Sequence, residues 1–429
     1  MKEKSKTNRG LLISAAVLVI AVLLLGASAQ AAPQLGKAII KVGGQDICSG
    51  MNADYGRQMI MGAQLAIDEI NAAGGILGSK LEMKFMDTEL DAAVALKNAK
   101  YMVEEWGADF LFGHSAEGGV DAICPFLPKW GVLLMVCHSG SPRLTEDTVF
   151  KHKPGGDHLF RITMPFYQDA LLSALYFKDR PDIKKIANMA ADYEYGWYVG
   201  DLFKESLAKH RPDIKYVGHA AAGYGTADFT SHLAALMAKK PNLIISTPWA
   251  GEAVSVLRQG VVAGLYEADW FKVWFQCMGG SIDVAEGITD DVKAGKFHGK
   301  LWGTARYLWN QTDRPENVKF VSDFRKRFAG RYPNYSAAAT YTAMYALKQA
   351  LEKTKTLDAK ALIKAFEGMT VQGPEGPRWF RPEDHQACYT VPLGRYTFDA
   401  KVADVAFLTD FSDIPWKEYY RFPPKFVTP

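Results

Sequence analysis

The chain has 429 residues, 48% apolar and 23% charged, an ordinary globular composition and more length than one core usually serves, so two lobes are expected. The net charge of +3 is spread along the chain without a basic block. That argues against nucleic acid as the main partner.

Lys2, Lys4, Lys6 and Arg9 give a basic start, Leu11 to Leu25 carries no charge, and Ala27, Ser28, Ala29, Gln30 and Ala31 follow. This is the three-part pattern of a secretory signal over residues 1–31, with cleavage expected after Ala29 or Ala31. The alternative is a retained anchor, but the apolar run is short for a span of about 20 residues. An exported, periplasmic mature protein is expected.

The chain is organised around Ile39 to Asp87. An apolar run at 38–42 predicts a strand, and a loop from Gly43 to Gly56 follows. Ile60, Ala63, Ile67 and Ile70 then mark one face of a helix, stopped by Gly74 and Gly75, since glycine accepts the left-handed conformation that helix ends need. Leu81 to Met86 predicts a second strand. Strand–helix–strand units build parallel sheets, whose ligands meet the loops leaving the carboxyl ends of strands. The loop 43–56 is the first place to look for a site.

The rhythm continues. Leu96, Ala99, Val103 and Trp106 form a helical stripe, and 109–112 and 132–137 are strands. Val120 to Phe126 reads as a helix broken by Pro125 and Pro128. Residues 146–158 read as an exposed connection, and 159–163 as the crossing into a second lobe. There, helices at 166–177, 193–207, 228–237 and 252–263 alternate with strands at 186–190, 216–219, 243–246 and 271–276. Beyond residue 300 the order changes. A strand at 301–304 and a polar insertion at 308–315 precede helices at 317–328, 337–353 and 359–367. Gly373 to Pro377 reads as a loop and 389–398 as a strand. The aromatic, Pro-rich end reads as a surface tail.

Cys48, Cys124, Cys137, Cys277 and Cys388 make an odd count without metal-ligand spacing, so no zinc site is expected. Cys48 and Cys137 are either bridged or two buried thiols. No phosphate-cradling loop, dinucleotide fingerprint, Gly-x-Ser-x-Gly elbow or His-Glu-x-x-His motif occurs, so neither a cofactor nor an enzyme is indicated. His114, Ser115 and Glu117 lie too close in sequence for a triad, which is assembled from distant loops. His152, Asp157 and His158 read as a solvated loop rather than a metal site. The conspicuous side chains are Tyr55, Tyr193, Tyr195, Trp197, Tyr224 and Trp249, at predicted strand ends of both lobes. They suit a cleft around a small molecule.

YGRQMIMGAQLAIDEINAAGGILGSKLE, ADYEYGW, GTADFTSHL and DHQACYTVPLGRYTF resemble the Leu/Ile/Val-binding type of periplasmic substrate-binding protein. The resemblance runs from about residue 38 to 400. It implies an α/β fold of two doubly wound Rossmann-like lobes joined by three hinge crossings, the type I periplasmic binding fold. Lobe 1 would hold 38–159 plus 305–385 and lobe 2 160–304 plus 386–420, with 421–429 a C-terminal tail. It also implies solute capture for an ABC importer, with permease subunits as partners and a monomeric chain; an exported sensor or a hydrolase using His114 or Glu117 are the alternatives. Carried over residue by residue, the ligand-binding aromatics match Tyr55, Tyr195 and Trp249. The carboxylate-holding serine falls at Glu117, the threonine at Gly140 between Ser139 and Ser141, and the ammonium-holding acid near Gly279. These departures favour an amide, an aromatic compound or an unusual amino acid over leucine, unless Glu117 itself takes the ammonium.

Overall fold

The computed structural model describes residues 34–50, 52–278 and 281–421. The expected signal segment, Gly279 and nearly all of the expected tail 421–429 lie outside these residues. Five parallel strands form the first sheet, in the order β2-β1-β3-β4-β5: β1 (Ile39–Asp46), β2 (Lys80–Asp87), β3 (Phe110–Gly113), β4 (Leu134–Val136) and β5 (Leu159–Arg161). The second holds β6 (Lys185–Ala191), β7 (Lys215–Ala222), β8 (Leu243–Ser246), β9 (Val273–Gln276) and β10 (Leu301–Thr304), all parallel, in the order β7-β6-β8-β9-β10. Fully buried runs such as FLFG, LMV, LIIS and VWFQ fit sheets covered on both faces.

The chain passes from the first sheet to the second after β5 and leaves it after β10. The helix Tyr335–Thr354 then packs on Ala53–Ala72 of the first sheet. This return requires Gly62: a Cβ there would stand 2.1 Å from the Ala337 carbonyl oxygen. A small antiparallel sheet follows, of β11 (Thr370–Gly373), β12 (Gly376–Phe380) and β13 (Ala387–Cys388). The third passage adds β14 (Leu393–Thr397) and β15 (Phe407–Thr409) antiparallel to the far edge of the second sheet. These are two doubly wound α/β lobes joined by three crossings.

Buried arginines fasten the crossings. Arg161 Nε donates to Gln386 Oε1 (2.5 Å) and its Nη2 to Thr145 Oγ1 (2.8 Å). Arg378 Nη1 donates to the Ile162 carbonyl (2.9 Å), and its guanidinium lies 4.3 Å from the Tyr389 ring centre.

Several expectations are corrected. β1 runs on to Asp46, so the first loop starts later than Gly43. Pro125 and Pro128 do not end the helical path. They sit in the first turns of Cys124–Phe126 and Leu127–Trp130, where a missing N–H goes unneeded. The connection 146–158 is exposed only at Lys151, Lys153 and Pro154, and its ends are buried: Glu146 is in an ion pair with Arg421 at 2.8 Å, and His158 Nδ1 lies 2.9 Å from the Val132 carbonyl. Gly373 to Pro377 is the turn of the β11–β12 hairpin. The stretch 389–398 is strand only at β14. In the end of the chain, Tyr419 and Tyr420 are buried: the Val391 N–H donates to the Tyr419 hydroxyl (2.9 Å), and the Tyr420 hydroxyl donates to the Ala387 carbonyl (3.1 Å). All five cysteines are free.

Candidate functional site

Strands of both sheets end on one cavity of about 230 Å³. From the first sheet, Ser115 and Glu117 follow β3, and His138 to Ser141 follow β4. From the second, Tyr193, Glu194 and Tyr195 follow β6, Trp249 follows β8, Met278 follows β9 and Arg306 follows β10. This is the position at which parallel sheets meet ligands. His114, Ala250 and Met278 at these ends hold left-handed backbone, with φ of 68°, 51° and 59°. Non-glycine residues in that region are uncommon and cluster where a site fixes its geometry.

Of the residues expected from sequence, Glu117, Ser139, Ser141, Tyr195 and Trp249 line the cavity together. Tyr55 does not. It is buried behind the wall, its ring centre 5.1 Å from His138, 5.4 Å from Trp249 and 5.5 Å from Tyr335. Its hydroxyl donates to Asp283 Oδ2 at 2.9 Å, tying the helix Ala53–Ala72 to Ile282–Lys293. Tyr193 is on the wall and accepts from Trp249 Nε1 at 2.6 Å. Trp197 and Tyr224 are exposed outside it, though Tyr224 accepts from Asn52 Nδ2 at 2.7 Å across the two lobes.

Sequence reasoning missed Arg306, Asn52 and Glu194. Arg306 is 6% exposed, donates through Nη1 to the His138 carbonyl, and lies 4.9 Å from the Tyr335 ring centre. Its Nε has no partner among the described residues. A Cβ on Gly140 would stand 2.5 Å from Arg306 Nη2. The guanidinium therefore fills the space of the missing side chain at the position where the resemblance places a threonine. A local signal existed in Gly140 itself, but only the third dimension shows what replaces the absent hydroxyl. Beneath Arg306, Thr304 Oγ1 donates to Asp169 Oδ1. Burial pushes the Asp169 carboxyl up to about 6, against the pull of Thr304 and Arg306.

At another part of the wall, burial and the neighbouring Glu117 raise Glu194, while Arg143 and Ser141 lower it. Ser141 Oγ donates to Glu194 Oε1 at 3.4 Å. His114 is not a base for the adjacent serine. Burial lowers it to about 4, its Nε2 faces Gln45 Nε2 at 3.3 Å, and Ser115 Oγ has no partner among the described residues. No group of His, Cys, Asp or Glu among the described residues is arranged to hold a metal ion.

The sequence model of the periplasmic binding protein family matches residues 39–401. The Leu/Ile/Val-binding protein homolog 1 of Brucella suis biovar 1 (strain 1330) is 26% identical over 323 residues, covering 74% of this chain and 80% of that relative. Two solved structures share the fold at 20% identity. A Rhodopseudomonas palustris solute-binding protein in complex with 4-hydroxybenzoate has a TM-score of 0.73, covering 87% of this chain and 97% of its own. The Streptococcus pneumoniae branched-chain amino acid transporter substrate-binding protein in complex with isoleucine has a TM-score of 0.68, covering 86% and 99%. With the family model spanning most of its length, and the fold and cleft in agreement, this chain belongs to the periplasmic binding protein family.

Proposed function

We propose that the protein captures a small organic solute in the cavity between its lobes and delivers it, without catalysis, to the permease of an ABC importer. The observation that carries this is the cavity itself, walled from both sheets at their strand ends and crossed by the hinge segment that bears Arg306. Glu117, Ser139, Ser141, Tyr195 and Trp249 are its contact residues, with Arg306 as a donor at the hinge end and Tyr55 as a buttress. A ligand touching both lobes favours the state in which they meet, by its extra contacts there. The mature protein works outside the cytoplasmic membrane as a monomer. No helix among the described residues is long and apolar enough to cross a membrane.

A thermal-shift screen of amino acids, amines, amides and aromatic acids tests this reading. A ligand at a hundredfold excess over Kd stabilises the folded chain by about 2.7 kcal/mol. At least one compound should raise the melting temperature clearly, and Arg306→Gln should diminish that rise. A flat response across the panel contradicts solute capture.

A further inference from the structure

We infer that the solute has a net positive charge, with an amine or guanidinium not balanced by a carboxylate of its own, and that this cationic nitrogen is seated between Glu117 and Glu194. This rests on the solute-capture reading and names the class of ligand. Glu117 opens the helix Glu117–Ile123 of the first lobe, and Glu194 opens Glu194–His210 of the second. Both line the cavity, and their carboxyl groups are close enough to share a hydrogen bond. Arg143 acts on Glu194 across space, and Ser141 Oγ donates to it at 3.4 Å. Two ionised carboxylates at contact repel unless a cation or a shared proton lies between them.

A separate group points the same way. Asn52 is 3% exposed and lines the same cavity; its Nδ2 is committed to Tyr224, and its Oδ1 has no partner among the described residues. That leaves a buried acceptor, which an N–H donor on the solute would satisfy. Tyr193 and Trp249 add aromatic surface on which a cation is favoured. Arg306 lies at the hinge end of the cavity, where it acts on the buried Asp169 below it. Two carboxyl groups and one guanidinium therefore line the cavity, and the exposed Arg143 acts on Glu194 from outside that lining. A basic solute fits it better than a neutral amino acid or an aromatic acid, whose carboxylate the two glutamates oppose.

Calorimetric titration of the full mature chain with arginine, agmatine, putrescine, leucine and 4-hydroxybenzoate tests the inference. Arginine, agmatine or putrescine should bind more tightly than leucine and 4-hydroxybenzoate. Glu117→Gln and Glu194→Gln should each weaken the basic ligand by about ten- to a hundredfold, as expected for a lost charged hydrogen bond. The melting temperatures of the ligand-free variants show whether each is folded, and Asn52→Ala gives a further variant should either glutamine form fail. Binding of leucine or 4-hydroxybenzoate in preference to all three bases overturns the inference while leaving solute capture standing. So does tight binding of a base that is indifferent to both glutamine variants. Binding of none of these compounds, nor of any in the wider panel, counts against both.

Discussion

Asp169 and Glu194 set how single residues make the protein sensitive to pH. Asp169 is fully buried and titrates at about 6, above an ordinary aspartate, because burial disfavours its charged form. A carboxyl raised on folding keeps its proton longer in the folded state, so its contribution to stability is greatest at low pH. That contribution is lost as pH rises from about 4 through 6. Relative to wild type, Asp169→Asn should therefore gain on the order of 3 kcal/mol in unfolding free energy between pH 4 and pH 7. Denaturant titrations at the two pH values check this, and parallel curves for the two proteins contradict it. Glu194 is raised in the same direction by burial and Glu117, with Arg143 opposing. The ligand-free protein should lose stability as Glu194 ionises, and affinity for a basic ligand should rise through the same range. Gly140→Ala probes the hinge end: its Cβ would stand 2.5 Å from Arg306 Nη2 and 3.3 Å from the Met164 carbonyl oxygen, so the guanidinium must move. It should alter ligand affinity in a calorimetric titration and lower the melting temperature, since a buried guanidinium bonded to the His138 carbonyl is displaced. Arg306 was illegible in the sequence because a charged residue next to a polar stretch reads as solvent-exposed. Its burial depends on the His138 carbonyl and the Tyr335 ring, both far away along the chain.

At the scale of elements, periodicity exposed most of the helices and strands. β3, β4, β8 and β9 stand out because sheets covered on both faces demand unbroken apolar runs. The helix Ala53–Ala72 was plain from its buried stripe and the glycines after it, which take φ of 106° and 83°. Ile282–Lys293 was missed, since its buried Ile282, Val284, Ala285 and Ile288 are interrupted by acids and Gly287. The connection at 146–158 misled for a different reason. Its polar residues are satisfied by partners remote in sequence, Arg161 for Thr145 just before it and Arg421 for Glu146. Gly62 carries an element-scale prediction. Gly62→Ala forces a methyl against the Ala337 carbonyl and should destabilise the packing of the two long helices by about 2 kcal/mol or more. An unchanged midpoint in a urea titration contradicts that packing.

For the molecule as a whole, bonds among the described residues that join the lobes near their strand ends include Tyr55 to Asp283, Asn52 to Tyr224 and Ser141 to Glu194. The three crossings, in contrast, are buried and held by arginines. That division suits lobes that turn about a firm hinge while the cleft contacts break and reform. Two-lobed architecture and the region of the cleft were legible from the alternation of elements and the resemblance; the charge pattern inside the cleft was not, because it is assembled from loops of both lobes. The most direct measurement is calorimetric titration of the wild-type chain and an Arg306→Gln, Trp249→Ala double variant with the strongest compound from the screen. The account predicts one solute per wild-type chain and at least a roughly hundredfold loss of affinity in a variant that still unfolds cooperatively. Undiminished binding in the variant would contradict capture in this cavity.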